Sequence, residues 1–372
     1  MLPHIEDISS YAGRVVVYVI LFLLALVLLE VGADIFVDST AIVAKRHHIP
    51  EVLIALLTAG AEWEELAVVI SAIAQGNPDL ALGNIIGSCI SNILGAFSIG
   101  LLFPKVVEVD RSSKLYGAAL LIFSLISSGL VYGEALDKPS GGVLIALFAV
   151  YHGSIGYGIY RGVMAEPEDS DDDSDSDSDD DHVNDDTAPA SPERSESQEK
   201  LSTCARHHFR QLKRTTTYHV IALLFGLALM SVSGWLLSGS ATAFAAYGGI
   251  SNTVVGLTIV ALATTLPEKF VAVFAGHRGH TGVLVANTVG SDIFLLTLVL
   301  GILGVSSAPV IDVKTRFYDI SVMLGSVIVL AGCLMFNYLR RWIGLAMLVV
   351  YLAYVISNYF IFKALHVSIT ES

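Results

Sequence analysis

The stretch IVALATTLPEKFVAVFAGH, residues 259–277, has the length and apolar content of one membrane-crossing helix. Its middle reads Thr264-Thr265-Leu266-Pro267-Glu268, a helix breaker followed at once by a carboxylate, with Lys269 next. Proline has no N–H, so Pro267 leaves the carbonyl of Ala263, four residues back, without its helical partner. Within a bilayer such a carbonyl and an ionisable side chain are tolerated only inside protein or along a cavity. A freed carbonyl, the Glu268 carboxylate and the two threonine hydroxyls form an all-oxygen set, the kind that hard cations such as Ca²⁺ and Na⁺ take.

A weaker copy of this segment lies 203 residues earlier. At that offset Glu65 falls over Glu268, and LALGNIIGSCISN (80–92) falls over VLVANTVGSDIFL (283–295) without a gap. Asn84 matches Asn287, Gly87 matches Gly290, Ser88 matches Ser291 and Ile90 matches Ile293. One shared offset that links a carboxylate to a Gly-Ser pair 23 residues later marks an internal duplication.

The rest of the chain is consistent with a membrane setting. Its 372 residues are 54% hydrophobic and 15% charged, with a mean hydropathy of +0.67, a balance that excludes an ordinary soluble domain. The net charge of -14 belongs to one segment. Of 35 acidic and 21 basic residues, 16 and 2 lie in 166–200, leaving 19 of each sign elsewhere. Cys89, Cys204 and Cys333 are scattered and form no disulfide or zinc framework. No P-loop, nucleophile elbow or HExxH motif occurs, so an enzyme is not expected, and neither a cofactor nor a nucleic-acid partner is implied.

At roughly 20 apolar residues per helix, the hydropathy pattern predicts an all-α polytopic membrane protein of about ten spans. The first five lie near 15–37, 51–74, 80–103, 115–133 and 141–160, and the second five near 218–238, 251–276, 281–304, 316–337 and 342–363. The first apolar run is long enough to be a retained span rather than a cleaved leader. The domains expected are a first membrane repeat over 1–160, a polar segment over 161–217 and a second repeat over 218–372. Five spans per repeat is an odd number, so the copies should cross the bilayer in opposite senses, the plan of many secondary transporters. Lys and Arg cluster in alternate loops, which puts the N-terminus outside and the long 161–217 segment in the cytoplasm. That segment contains SDDDSDSDSDDD and is expected to be a disordered, solvated spacer. Ser170, Ser174, Ser176 and Ser178 each precede an acidic residue by three positions, as an acid-directed kinase would require.

Together these residues resemble the cation/calcium exchanger superfamily, the group containing the sodium/calcium exchangers. Its two alpha-repeats carry a Gly-Thr-Ser-Leu-Pro-Glu type motif and then a Gly-Asn-x-x-Gly-Ser-Asn type motif. Here the second repeat (alpha-2 region 251–304) offers ALATTLPE (261–268) and ANTVGSD (286–292), and the first (alpha-1 region 51–103) offers TAGAEWEE (58–65) and GNIIGSCISN (83–92). The first span, with EVGADIFVDSTAIVAK (30–45), also resembles the family's GAD-x-x-V-D segment. The resemblance implies a midplane site shared by Glu65 and Glu268. Ser88, Asn92, Ser291, Thr264, Thr265 and the Ala261 carbonyl would surround them. It also implies alternating access by movement of the first and sixth helices against a fixed core.

Four positions depart from that pattern. Ala61-Glu62 replaces the usual Thr-Ser, Glu64 replaces the proline, Leu295 stands opposite Asn92, and Lys269 is an added cation. The changes remove sodium-type ligands and add carboxylates. Glu62 lies one turn before Glu65, so both can face the site, as ligand or as proton carrier. Glu64 points elsewhere on the same helix. Asp292 is either a further ligand or a partner for Lys269. Lys269 either neutralises Glu30, Asp34 or Asp292, or acts as a tethered charge in place of a transported cation. His47, His48, His207, His208, His277 and His280 are expected at headgroup level.

The function expected is exchange of Ca²⁺ or a similar divalent cation for H⁺ or a monovalent cation such as Na⁺ or K⁺, with those ions as substrates and the lipid bilayer as the surrounding partner. Two other classes fit the sequence, an inverted-repeat carrier of a small organic solute and a transport-inactive regulator or scaffold.

Overall fold

The computed structural model describes residues 11–46, 62–103, 111–161, 216–279, 281–306 and 313–370, and all regular structure among them is helical. In chain order the helices are α1 (Tyr11–Arg46), α2 (Trp63–Ala74), α3 (Pro78–Gly100), α4 (Arg111–Tyr132) and α5 (Lys138–Tyr160). The second set is α6 (Thr216–Gly248), the broken pair α7a (Asn252–Thr264) and α7b (Leu266–Arg278), α8 (Thr281–Phe294 running on through Leu295–Val299 and Leu300–Ser306), α9 (Val313–Met335) and α10 (Arg341–Thr370). Eight of these are long and apolar enough to cross a bilayer, and the bent pair α7a–α7b makes a ninth. The remaining expected span, 51–74, is represented by α2; its residues 51–61 lie outside the described residues, as does the acidic segment with its serines.

Burial sorts the helices into an inner and an outer set. The best apolar window of α3 is 100% buried inside the protein and that of α8 is 78%, against 28% for α1 and α6. A helix that is apolar on every side belongs in the middle of a bundle, whereas α1 and α6 leave wide apolar faces for lipid. These two pack along one another and are 36 and 33 residues long, well beyond the expected 15–37 and 218–238. At 1.5 Å per residue, α1 measures about 54 Å, longer than the roughly 30 Å of a hydrocarbon core.

The packing repeats under the 203-residue offset that relates α1–α5 to α6–α10. Helix α4 packs on α8 and α9 packs on α3; α5 packs on α8 and α10 on α3; α2 packs on α8 and α7b on α3. The backbone irregularities repeat as well. A π-helical segment interrupts α3 at Ser91–Phe97 and α8 at Leu295–Val299, and the offset carries the first onto the second. A third lies in α7a at Gly256–Val260. Such widened turns are frequent at functional sites.

Glycine lets α3 and α7a meet backbone to backbone. A Cβ on Gly87 would stand 2.5 Å from the Leu257 carbonyl oxygen, and one on Gly256 would stand 2.4 Å from the Leu80 carbonyl oxygen. This contact seats the Ser88–Asn92 stretch beside the break at Thr265. Gly87→Val is therefore expected to destabilise the purified protein by about 1–3 kcal/mol or more through overpacking. Gly129→Ala, where a Cβ meets nothing within 4 Å, is expected to leave the melting temperature in detergent unchanged or slightly raised.

Candidate functional site

The break anticipated in 259–277 is present. Helix α7a ends at Thr264, Thr265 leaves helical geometry (φ −87°, ψ 16°), and α7b sets off at 47° to α7a with Pro267 and Glu268 in its first turn. Glu65 occupies the matching place in the first turn of α2, which Glu62 precedes. Both acids thus sit where unpaired backbone N–H groups give a half-helix its positive end. Trp63 fixes α2 between the peripheral and central helices, its ring edge-on to Phe36 of α1 at 5.3 Å and to Phe294 of α8 at 5.9 Å.

Four carboxylates gather here. Glu62, Glu65 and Asp292 are buried, and Glu268 is partly covered, with its Oε2 buried. Glu268 lies within electrostatic reach of both Glu65 and Glu62. Asn92, at the second position of the α3 π-segment, donates through Nδ2 to Glu62 Oε1 at 2.8 Å and to Asp292 Oδ1 at 3.2 Å. Ser291 also lies beside Glu62, and Thr264 beside Glu65.

What distinguishes the cluster is its surplus of acceptors. Both Glu65 carboxylate oxygens, Glu62 Oε2, Glu268 Oε2, Asp292 Oδ2, Asn92 Oδ1 and Ser88 Oγ are buried and have no hydrogen-bond partner among the described residues. Native proteins satisfy the large majority of buried polar atoms, and an unsatisfied group requires a reason. Among the described residues no three His, Cys, Asp or Glu side chains close on one point as a ready metal cage. The acids are therefore separate arms around a shared region.

A family model described as sodium/calcium exchanger protein matches the chain twice, over residues 17–154 and 218–360. The chain belongs to the sodium/calcium exchanger family. The putative antiporter CaxA of Alkalimonas amylolytica is 27% identical over 313 residues, 84% of this chain and 88% of that protein. The sodium/calcium exchanger MaX1 of Methanosarcina acetivorans is 25% identical over 353 residues, 92% of this chain and 98% of its own length. A solved structure of the sodium-calcium exchanger NCX_Mj matches with a TM-score of 0.54 at 22% identity, covering 92% of this chain and 98% of that one, and so shares its fold.

Within this exchanger the structure brings the expected residues together unevenly. Glu65, Glu62, Asn92, Asp292, Ser291, Ser88, Thr264 and Thr265 are all buried around the break. The Ala261 carbonyl is already engaged, accepting from the Thr265 N–H at 3.2 Å and from the Thr265 hydroxyl at 2.6 Å. Asp292 bonds to Asn92, and Lys269 donates to Ser91 and Thr265 rather than to Glu30, Asp34 or Asp292. Glu64 faces α1, with Glu30 and Asp34 among the charges acting on it, as its helical position predicts. His277 is exposed, its ring 6.2 Å from that of Phe103, and His47, His48, His207, His208 and His280 lie outside the described residues. Three polar residues in the core were not anticipated as part of the site: Ser91, Tyr351 and Asn84. Ser91 links α3 to α7b and α10, its Oγ lying 2.8 Å from Thr265 Oγ1 and 3.0 Å from the Tyr351 hydroxyl. Asn84 is fully buried with no side-chain partner among the described residues. It stood in the repeat alignment over Asn287, which was the available signal.

Asn92→Leu copies the residue found at the matching position of the other repeat and removes the amide between two acids. It is expected to lower stability in detergent by about 1–3 kcal/mol. Adding Glu62→Gln should return part of that loss, measured as the shift in melting temperature.

Proposed function

We propose that this exchanger carries a hard divalent cation, Ca²⁺ in the first place, in exchange for protons or a monovalent cation. The observation that supports this most directly is the pair of partnerless, fully buried oxygens of Glu65, together with the buried Glu268 Oε2. Oxygens without donors in a protein interior suit a hard metal cation. Glu62, Asp292, Asn92 Oδ1, Ser88 and Ser291 are the further oxygens within the same region, and Thr264 and Thr265 flank it from α7a.

The mechanism follows from charge. Glu65 and Glu268 repel one another when both are ionised and nothing lies between them. A divalent cation relieves that repulsion, and so do protons or monovalent cations. A loaded site of either kind can be re-exposed on the opposite side of the bilayer, while an empty and charged one meets a large desolvation penalty. Exchange is thus enforced by electrostatics, with α1 and α6, the peripheral pair, as the elements that slide past a central core of α3 and α8. The relatives' names accord with this: MaX1 is named a sodium/calcium exchanger and CaxA a putative antiporter. Family membership leaves the organic-solute reading without support.

The test is ⁴⁵Ca²⁺ uptake into proteoliposomes under Na⁺, K⁺ or pH gradients imposed one at a time. Flux is expected under at least one gradient, and Glu65→Gln and Glu268→Gln should each abolish it while leaving the protein folded. Undiminished flux in either variant would refute the assignment.

A further inference from the structure

Directly after Glu268, the Lys269 side chain runs back along the first turn of α7b to the break. Its ammonium has three N–H groups, and three oxygens receive them: Thr265 Oγ1 at 2.6 Å, Ser91 Oγ at 2.8 Å and the Thr265 carbonyl at 3.0 Å. The Thr265 hydroxyl donates its own hydrogen to the Ala261 carbonyl, so towards Lys269 it can only accept. Ser91 Oγ, accepting from Lys269, has its hydrogen free for the Tyr351 hydroxyl or for Thr265 Oγ1. Hydroxyl lone pairs and a backbone carbonyl therefore converge on one positive charge. None of these three ligands is itself charged. The carboxylates that act on the ammonium do so through space, Glu268 first, then Glu65 and Glu62.

Two hydroxyls and a main-chain carbonyl are neutral oxygen donors of the kind hard cations take, and here a side-chain ammonium occupies them. The duplication shows that the arrangement has no symmetry mate. At the 203-residue offset Thr265, Lys269, Ser91 and Tyr351 correspond to Glu62, Leu66, Phe294 and Phe148. In place of the hydroxyl relay, Phe148 and Phe294 pack edge to face at 5.8 Å. The symmetry-related position therefore has an aromatic pair and no cation, while a lysine stands only in the Thr265–Ser91 cage.

We propose that the Lys269 ammonium is a resident monovalent cation of the transport site, occupying a subsite built by Thr265 and Ser91 that a transported monovalent cation would otherwise fill. This rests on the exchange reading above and deepens it. The exchanger then carries one fewer monovalent charge against each divalent cation, because one positive charge never leaves. Lys269→Gln vacates the subsite, and Lys269→Arg keeps it filled.

Two measurements on the full-length chain test this. In proteoliposomes with the membrane potential set by K⁺ and valinomycin, the reversal potential of ⁴⁵Ca²⁺ flux gives the charge moved per cycle. Lys269→Gln should couple one additional monovalent cation per divalent cation, and Lys269→Arg should keep the wild-type coupling. An active Lys269→Gln protein with unchanged coupling would overturn the proposal. The second measurement needs no transport. The melting temperature of Lys269→Ala in detergent should rise with Na⁺ or methylammonium relative to choline at equal ionic strength, whereas that of the wild type should not. No such selective rise would also overturn the proposal, and so would the same rise in the wild type. If the wild type carries no Ca²⁺, the exchange reading fails, and the melting experiment still decides whether the Lys269 cage is a cation subsite.

Discussion

The structure turns on the burial of more carboxylate oxygens than the described residues supply with hydrogen-bond partners. Removing an ionised carboxylate from water carries an effective penalty of roughly several kcal/mol even after the protein relaxes. In this chain Glu65 meets that penalty with both oxygens partnerless among the described residues. The neighbouring features reduce it. Breaking the helix at Thr265 creates a new helix start, whose positive end faces Glu268. The first turn of α2 does the same for Glu65. Asn92 spends its amide hydrogens on Glu62 and Asp292, which turns two mutually repelling acids into acceptors of one group.

Close packing makes this geometry possible. An α-helix ordinarily keeps its neighbour 8–10 Å away between axes, which would hold α3 and α7a too far apart for short side chains such as Ser91 and Thr265 to touch. The glycines at 87 and 256 remove that spacer, and small residues are the usual means of close approach where the surrounding lipid is as apolar as any side chain. The π-segments act in the same direction. By widening a turn in α3 they set Ser91 and Asn92 on directions that regular helical spacing would not give, one towards Thr265 and Tyr351, the other towards Glu62 and Asp292.

Much of this was legible in the sequence because its signals were costly ones. A proline and a glutamate inside an apolar run have few explanations, and their recurrence at a fixed offset gave the repeat, the helical class and the two central acids together. Span ends were less legible. Hydropathy stops where charge begins, yet α1 continues helically past residue 37 through Asp38 and Lys45 to Arg46, packed along α6. Ser91 and Tyr351 were missed for a different reason. Their repeat counterparts are Phe294 and Phe148, so alignment of the halves marked both positions as apolar, and a lone serine or tyrosine in a membrane helix is unremarkable without its partner in view. The two readings left open for Lys269 differ only in what its ammonium touches, and periodicity places the Cα without saying where a four-carbon side chain ends.

The unequal halves explain how a duplicated site can become selective. Two identical repeats would give a site whose two lobes have the same affinity for the same ion. Here the departures from symmetry fall into two clusters, each built from both repeats. Glu62, Asn92 and Asp292 stand where the opposite lobe has Thr265, Leu295 and Cys89, and Lys269 stands where the opposite lobe has Leu66. The acid lobe favours concentrated positive charge, which a divalent ion supplies better than a monovalent one at similar distance. The lysine lobe repels any second cation from the Thr265–Ser91 oxygens. On the exchange reading proposed above, the field runs between the Glu62–Asn92–Asp292 cluster and the Lys269–Thr265–Ser91 cluster, each of which draws on both repeats. Duplication built the paired half-helices, and a handful of substitutions, at Glu62, Asn92, Asp292 and Lys269, set the two clusters apart.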